Sequence, residues 1–197
     1  MVNVKSAVGA VMDAMVYAVS DGSCNEYYLI DIGDAEAALS LLPSGAEVKG
    51  VFITHGHHDH IFGLSQLKKA FPECEVYASA ECAKMLASAK ANLSAYVGSS
   101  FSYDGKVTEL RDGDSVQLYD GIWLRVIETP GHNPSCLCFI IDDYIFTGDS
   151  YIPGAKIVTN LPGGNKKIAQ ESFSKIMAYA QGKKICPGHQ VNADNAI

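Results

Sequence analysis

Four histidines and an aspartate fall within six residues of the stretch FITHGHHDHIFGL: His55, His57, His58, Asp59 and His60. Imidazole and carboxylate without thiolate suit a zinc, iron or manganese ion better than a structural thiolate zinc site. Only two further histidines occur, His132 in ETPGHNP and His189 in CPGHQ, and both follow Pro-Gly directly after an apolar run. Asp149 in IFTGDS holds the same kind of position. A histidine at a turn, taken singly, is more often a surface residue or one packed behind the ligands than a ligand itself, and His58 is left to that reading. Five histidines and two aspartates at strand-to-loop junctions call for a common cause.

Spacing constrains how they share ions. In an extended stretch His55 and His57 point the same way and can ligate one ion. Asp59 and His60, at the opening turn of a helix, point differently and suit a second. His132 could complete the first set and His189 the second. Asp149 is then free to bridge the two ions through its two carboxylate oxygens.

These residues need strands that end together. AMVYAVSDGSCNEYYLIDIGD reads as two strands around a polar turn at 20–25, the second running to Asp34; DAEAALSLL reads as a helix with Asp34 as its cap. EVKGVFIT is a buried strand leading into the histidine cluster. The apolar spacing of Ile61, Leu64, Leu67 and Phe71 then predicts a helix. A strand at EVYAS, a helix over 79–93 and a Gly/Ser loop at 98–105 follow. Strands come next around SVQLYDGIWLRVIET and CLCFIIDDYIFTGD, then a helix over 166–179 and a strand at KKICPGH. Two sheets packed together with helices outside are expected, with the strand ends converging at one sheet edge on a single cleft.

Composition bounds the function. The 197 residues, 48% hydrophobic and 19% charged, are expected to form one domain, 1–197, with one good-sized core. A net charge of -7 argues against a nucleic-acid surface. The six cysteines show no disulfide or zinc-ribbon spacing, and Cys136 and Cys138 read as buried hydrophobes on one strand face. Gly9 and Asp13 interrupt the apolar N-terminal stretch and Lys5 is its only basic flank, which argues against a signal peptide. No run approaches a membrane span of roughly 20 apolar residues. A cytoplasmic protein with no membrane partner is the expectation.

The ordered set HGHHDH, TPGH, TGD and PGH resembles the metallo-β-lactamase-fold hydrolases, with a match over residues 10–190. The resemblance implies an α+β, four-layer αβ/βα sandwich carrying two divalent ions, zinc foremost and iron or manganese as alternatives. One metal would sit on His55, His57 and His132, the other on Asp59, His60 and His189, with Asp149 between them. Within the superfamily, FTGDSYIPGAKIVTNLPGGNKKIAQESFSKI resembles the corresponding segment of the small glyoxalase II-like (hydroxyacylglutathione) hydrolases. Two departures are Ile61-Phe62-Gly63 in place of a glycine pair and a chain end eight residues after His189, where glyoxalase II carries a further helical domain.

The implied reaction is attack on a thioester or related ester carbonyl by a hydroxide held between two cations about 3.5 to 4 Å apart. Asp59 would both ligate and orient that hydroxide. Tyr151 and Lys156 are placed to touch a small-molecule substrate, and Thr54, Thr129 and Thr147 to hydrogen-bond behind the ligands. A lactone or β-lactam hydrolase would use the same seven residues. A mononuclear-iron persulfide dioxygenase would use His132, Asp149 and either His55 or His57. The short C-terminus would leave an open cleft for a second copy, in a homodimer, to close.

Overall fold

The computed structural model describes residues 1–190. Eleven strands form two sheets. The first runs in the order β1 (Asn3–Val8), β2 (Met15–Ser20), β3 (Glu26–Ile30), β4 (Glu47–Phe52), β5 (Glu75–Ser79) and β6 (Thr108–Leu110). It is antiparallel from β1 to β3 and parallel from β3 to β6. The second joins β7 (Ser115–Tyr119), β8 (Ile122–Glu128), β9 (Leu137–Ile141) and β10 (Tyr144–Gly148) antiparallel, and adds β11 (Lys184–Pro187) parallel to β10. The parallel segments need crossovers, and the helices supply them.

Strand alternation shows why the layers number four. In β2, Val16 and Ala18 pack with Ala38 of α1 (Ala35–Ser40), Leu64 and Leu67 of α3 (Leu64–Ala70) and Leu86 of α4 (Ala80–Leu86). Tyr17 and Val19, pointing the other way, join Phe52, Leu124, Phe139 and Phe146 between the sheets. On the far side, Ile127, Cys138, Ile140 and Ile145 meet Ile176 of α5 (Lys166–Ala180). Strands buried on both faces read as continuous apolar runs, as VFI and LCFII do. Phe52 and Phe139 lock the sheets edge to face at 5.5 Å between ring centroids. Each such buried aromatic contributes about 3 kcal/mol or more against truncation.

Most expected elements form, with four differences. β1 and the three-residue β6 were not anticipated. β3 stops at Ile30 because Asp31 turns the chain at φ 59°. The helix expected from Ile61 is two: α2 (His58–Ile61) ends before Gly63, whose N–H donates to Ile32 O. A Cβ on Gly63 would lie 2.6 Å from Ala35 N, so only glycine admits this approach of α3 to α1. The helix expected over 79–93 ends at Leu86. Beyond it, Asn92 and Ser94 spend their side chains on the backbone of Phe101, which outbids continued helix. Asp34 caps α1 as expected, accepting from Glu36 and Ala37 N–H.

All six cysteines are free, and Cys136 and Cys138 are buried. No helix of the described residues is long and apolar enough to cross a membrane.

Candidate metal centre

The seven candidate ligands meet at one end of the sandwich. His55, His57, Asp59 and His60 follow β4 of the first sheet; His132, Asp149 and His189 follow β8, β10 and β11 of the second. The cleft therefore lies across the ends of both sheets, not at the edge of one. Leu137 N–H donates to Thr54 O at 2.8 Å and ties the two sheets directly behind it.

Three groups of side chains bring ligand atoms within 4.8 Å of one another: His55, His57 and His132; His55, His60 and Asp149; and Asp59, His60 and His189. Asp149 stands between the halves, with Oδ1 3.4 Å from His60 Nε2 and Oδ2 3.3 Å from His189 Nε2 and 3.6 Å from His132 Nε2. Asp59 Oδ2 lies 3.3 Å from His189 Nε2 and 3.6 Å from His60 Nε2. His57 Nδ1 faces His132 Nε2 at 2.9 Å.

The outward nitrogens are anchored, which frees the inward ones. His132 Nδ1 is 2.8 Å from Val158 O and His189 Nδ1 is 2.9 Å from Met12 O; a carbonyl only accepts, so both Nδ1 atoms carry the proton. His60 Nδ1 likewise donates to Asp31 Oδ2 at 2.8 Å. The Thr54 hydroxyl donates to the same oxygen at 2.8 Å, so its remaining lone pairs accept from His55 Nδ1 at 3.1 Å. One buried carboxylate thus fixes the tautomers of two rings and turns both Nε2 atoms to the centre.

Spacing reasoning missed Asp31 and Asn133. The signal for Asp31 was a carboxylate at the end of the apolar run YYLI, the position that marked Asp149. Asn133, directly after His132, lies 3.4 Å from His57 Nε2 through its amide nitrogen and accepts from Ser135 N–H and Oγ.

The electrostatics divide the cluster. Burial, with the charges of His60 and His57 nearby, holds His55 well below the usual imidazole range. Burial and His132 bring His57 down to about 4. On the other side burial opposes charge but loses: Asp59, Asp149 and Asp31 together hold His60 well above its ordinary value. Asp149 and Asp59 raise His189 to about 10 against burial. Burial likewise opposes ionisation of Asp59, yet His60 and His189 bring it down to about 2. Asp149 is held well below the carboxylate range by the same two rings against its burial.

Two buried ligand atoms have no hydrogen-bond partner, His55 Nε2 and Asp149 Oδ1. Orphaned acceptors in a site this dry cost free energy, and a cation between them removes that cost. Together with the inward-facing donor sets, this makes the residues fit divalent metal.

Of the two places expected for His58, at the surface or behind the ligands, it takes the second. It is buried, its N–H donates to Asn92 O, and its Nδ1 has no hydrogen-bond partner, with Asp59 Oδ1 3.8 Å away. Of the three threonines, Thr54 reaches a candidate ligand. Thr129 Oγ1 donates to Ser150 Oγ and Thr147 Oγ1 to Tyr151 O. Tyr151 and Lys156 line a cavity of about 550 Å³ against Ala169, Gln170 and Phe173 of α5, with none of the seven candidate ligands on its walls.

The family model of the metallo-beta-lactamase superfamily matches residues 13–189. Among solved structures, the BLEG-1 B3 metallo-beta-lactamase is 22% identical with a TM-score of 0.86, over 96% of this chain and 92% of that one. TTHA1623 in a di-iron-bound form is 25% identical with a TM-score of 0.78, over 94% and 91%. ETHE1 from Myxococcus xanthus is 20% identical with a TM-score of 0.74, over 97% and 77%. A model match across nearly the whole chain, on a two-sheet sandwich with the ligand cluster at its end, places this chain in the metallo-beta-lactamase superfamily.

Proposed function

We propose that this chain is a dinuclear metal-dependent hydrolase that cleaves a carbonyl substrate, a thioester or related ester of a small molecule. The observation that carries the reading is the pair of donor sets joined by Asp149, each histidine but His57 anchored outward through Nδ1. His55, His57 and His132 would hold one ion, Asp59, His60 and His189 the other, and Asp149 both. Zinc suits this nitrogen and oxygen set, and the di-iron form of TTHA1623 makes iron the first alternative. Bound there, two divalent ions supply a nucleophile from water at neutral pH and polarise the carbonyl.

The chain's own residues do the positioning. Asp59, ionised at neutral pH, directs Oδ2 into the centre as a ligand, and its other carboxylate oxygen would accept a hydrogen bond that orients the attacking water. Asp31 holds His55 and His60 in the tautomer that presents Nε2. The likeness to glyoxalase II-like enzymes in the segment after Asp149 favours a thioester. A cytoplasmic site of action fits its free, mostly buried cysteines.

The test is the zinc-loaded protein assayed on a glutathione thioester, a lactone and a β-lactam. Hydrolysis of the thioester, reduced about 100-fold or more by Asp59→Asn, is expected. No turnover of any of the three ends the hydrolase reading. A second reading rests on His132 Nε2 and Asp149 Oδ2 at 3.6 Å, a pair that His55 or His57, each grouped with His132, could complete to two imidazoles and a carboxylate. That set suits a single iron(II) with open positions, as in a persulfide dioxygenase. One iron per chain, with oxygen consumed on adding glutathione persulfide and thioesters untouched, would establish it.

A further inference from the structure

One buried ring beside the centre has no part in the two donor sets, that of His58. Its side chain is 9% exposed, and Nδ1 is buried with no hydrogen-bond partner. A phenylalanine would fill the same space without desolvating a nitrogen, so filling alone does not account for an imidazole here. What Nδ1 faces is a carboxylate oxygen, Asp59 Oδ1, 3.8 Å away.

Asp59 divides its two oxygens. Oδ2 points into the centre, 3.3 Å from His189 Nε2 and 3.6 Å from His60 Nε2, while Oδ1 is turned toward His58. The backbone that carries both residues is clamped at each. His58 N–H donates to Asn92 O at 2.9 Å, and Asn92 is itself fixed: its Nδ2 donates to Phe101 O at 3.0 Å and its Oδ1 accepts from Ser94 N–H at 3.0 Å. Gly33 packs so closely on the next residue that a Cβ there would lie 1.6 Å from Asp59 O. With the backbone held, the plane of the Asp59 carboxylate is set by its side-chain torsions and by what each oxygen meets.

The tautomer of His58 follows from charge. Asp59 is ionised at neutral pH, and a bare Nδ1 lone pair facing it in a dry site would be repelled. The ring proton therefore belongs on Nδ1. The 3.8 Å separation is longer than the ~2.7–3.2 Å of a hydrogen bond, and rotation about the two side chains' own torsions is what closes it.

We propose that His58 is a positioning residue: its Nδ1–H holds Asp59 Oδ1, which keeps Oδ2 aimed at the ion of the Asp59, His60 and His189 set and leaves the second lone pair of Oδ1 to orient the attacking water. The role toward water rests on the hydrolase reading above; the hold on that ion requires only that the centre binds metal.

Two variants and one spectrum test it. His58→Phe keeps an aromatic ring and removes the donor, whereas His58→Asn places an amide N–H where Nδ1 stands and restores it. Circular dichroism confirms the fold of each, and zinc affinities come from competition with a chromophoric chelator. His58→Phe is expected to weaken one of the two ions about 10- to 100-fold, and His58→Asn to recover it to within about threefold of the wild type. In a His60→Ala background, expected to keep only the His55, His57 and His132 set, His58→Phe should change nothing. Long-range proton–nitrogen correlation NMR of the zinc-loaded wild type should show His58 protonated at Nδ1.

Wild-type affinity for both ions in His58→Phe overturns the proposal, as does a His58 ring protonated only at Nε2. Equal weakening of both ions, or a loss that His58→Asn does not recover, assigns the ring to packing and also overturns it. A selective loss that His58→Asn recovers, in a protein that hydrolyses no thioester, lactone or β-lactam, supports the hold on Asp59 and ends the hydrolase reading alone.

Discussion

Asp31→Asn separates the chemistry of the site from its backbone better than any ligand substitution. Asp31 is buried and sits at φ 59°, a left-handed conformation that asparagine adopts more readily than other non-glycine residues. The amide oxygen can still accept from Thr54 N–H, as Asp31 Oδ1 does at 2.7 Å. The amide nitrogen would then face His60 Nδ1 and the Thr54 hydroxyl, donor against donor. Relief comes only by moving the His60 proton to Nε2 and turning the Thr54 hydroxyl toward His55, which moves that ring's proton to Nε2 as well. Both rings would then present N–H where a cation needs a lone pair.

Losing one such outer partner costs about 10- to 100-fold in metal affinity, and here each metal set loses one. The metal-free variant also loses about 2 kcal/mol of charge-assisted hydrogen bonding, worth a fall of about 6 °C in melting temperature. Zinc affinity is read by competition with a chromophoric chelator at pH 7.5, with circular dichroism confirming the fold. Wild-type affinity for both ions in Asp31→Asn would refute the tautomer argument.

Further outcomes follow from the same geometry. In the metal-free protein His60 and His189 are protonated at neutral pH, whereas His55 and His57 are neutral. Loading the Asp59, His60 and His189 set must therefore expel protons, and its affinity should rise with pH, by up to about 10-fold per pH unit for the His189 proton alone, until pH nears about 10. Calorimetry in two buffers of different ionisation enthalpy counts those protons; zero would contradict the charge assignment. Metal-free stability should run the other way. The His189 contribution is complete below pH 6.5 and lost as pH rises toward about 10, and the Asp59 contribution is lost as pH falls from 3.8 through about 2. Thermal melts with chelator present from pH 5 to 10 check the alkaline limb. Finally, a Cβ on Gly188 would collide with Asp149 Oδ1 and come within 2.9 Å of His60 Cε1. Gly188→Ala should displace the bridging carboxylate and lower zinc stoichiometry below that of the wild type; full occupancy by elemental analysis would show that the centre tolerates the shift.

The ligand set could be read from the chain because each member follows an apolar strand, and strand ends are visible as run followed by turn. His55, His132, Asp149 and His189 all carry that mark. Asp31 carries it too, but an aspartate before Ile-Gly-Asp also reads as turn chemistry. Its function depends on Thr54, 23 residues away, just past the end of the neighbouring β4. His58 is buried through a backbone contact with Asn92 that no local pattern announces. β1, with Lys5 and Ser6 exposed on an edge strand, lacks apolar alternation, and β6 is a strand only because β5 pairs with it. Periodicity marks elements that bury their own faces, while elements defined by a partner stay hidden until the partner is placed.

Elemental analysis of the purified protein beside His60→Ala bears most directly on the dinuclear centre. About two zinc or iron ions per chain in the wild type, and about one in His60→Ala with the His55, His57 and His132 set retained, is the expected result. A single ion in the wild type, or a count that His60→Ala leaves unchanged, would contradict it.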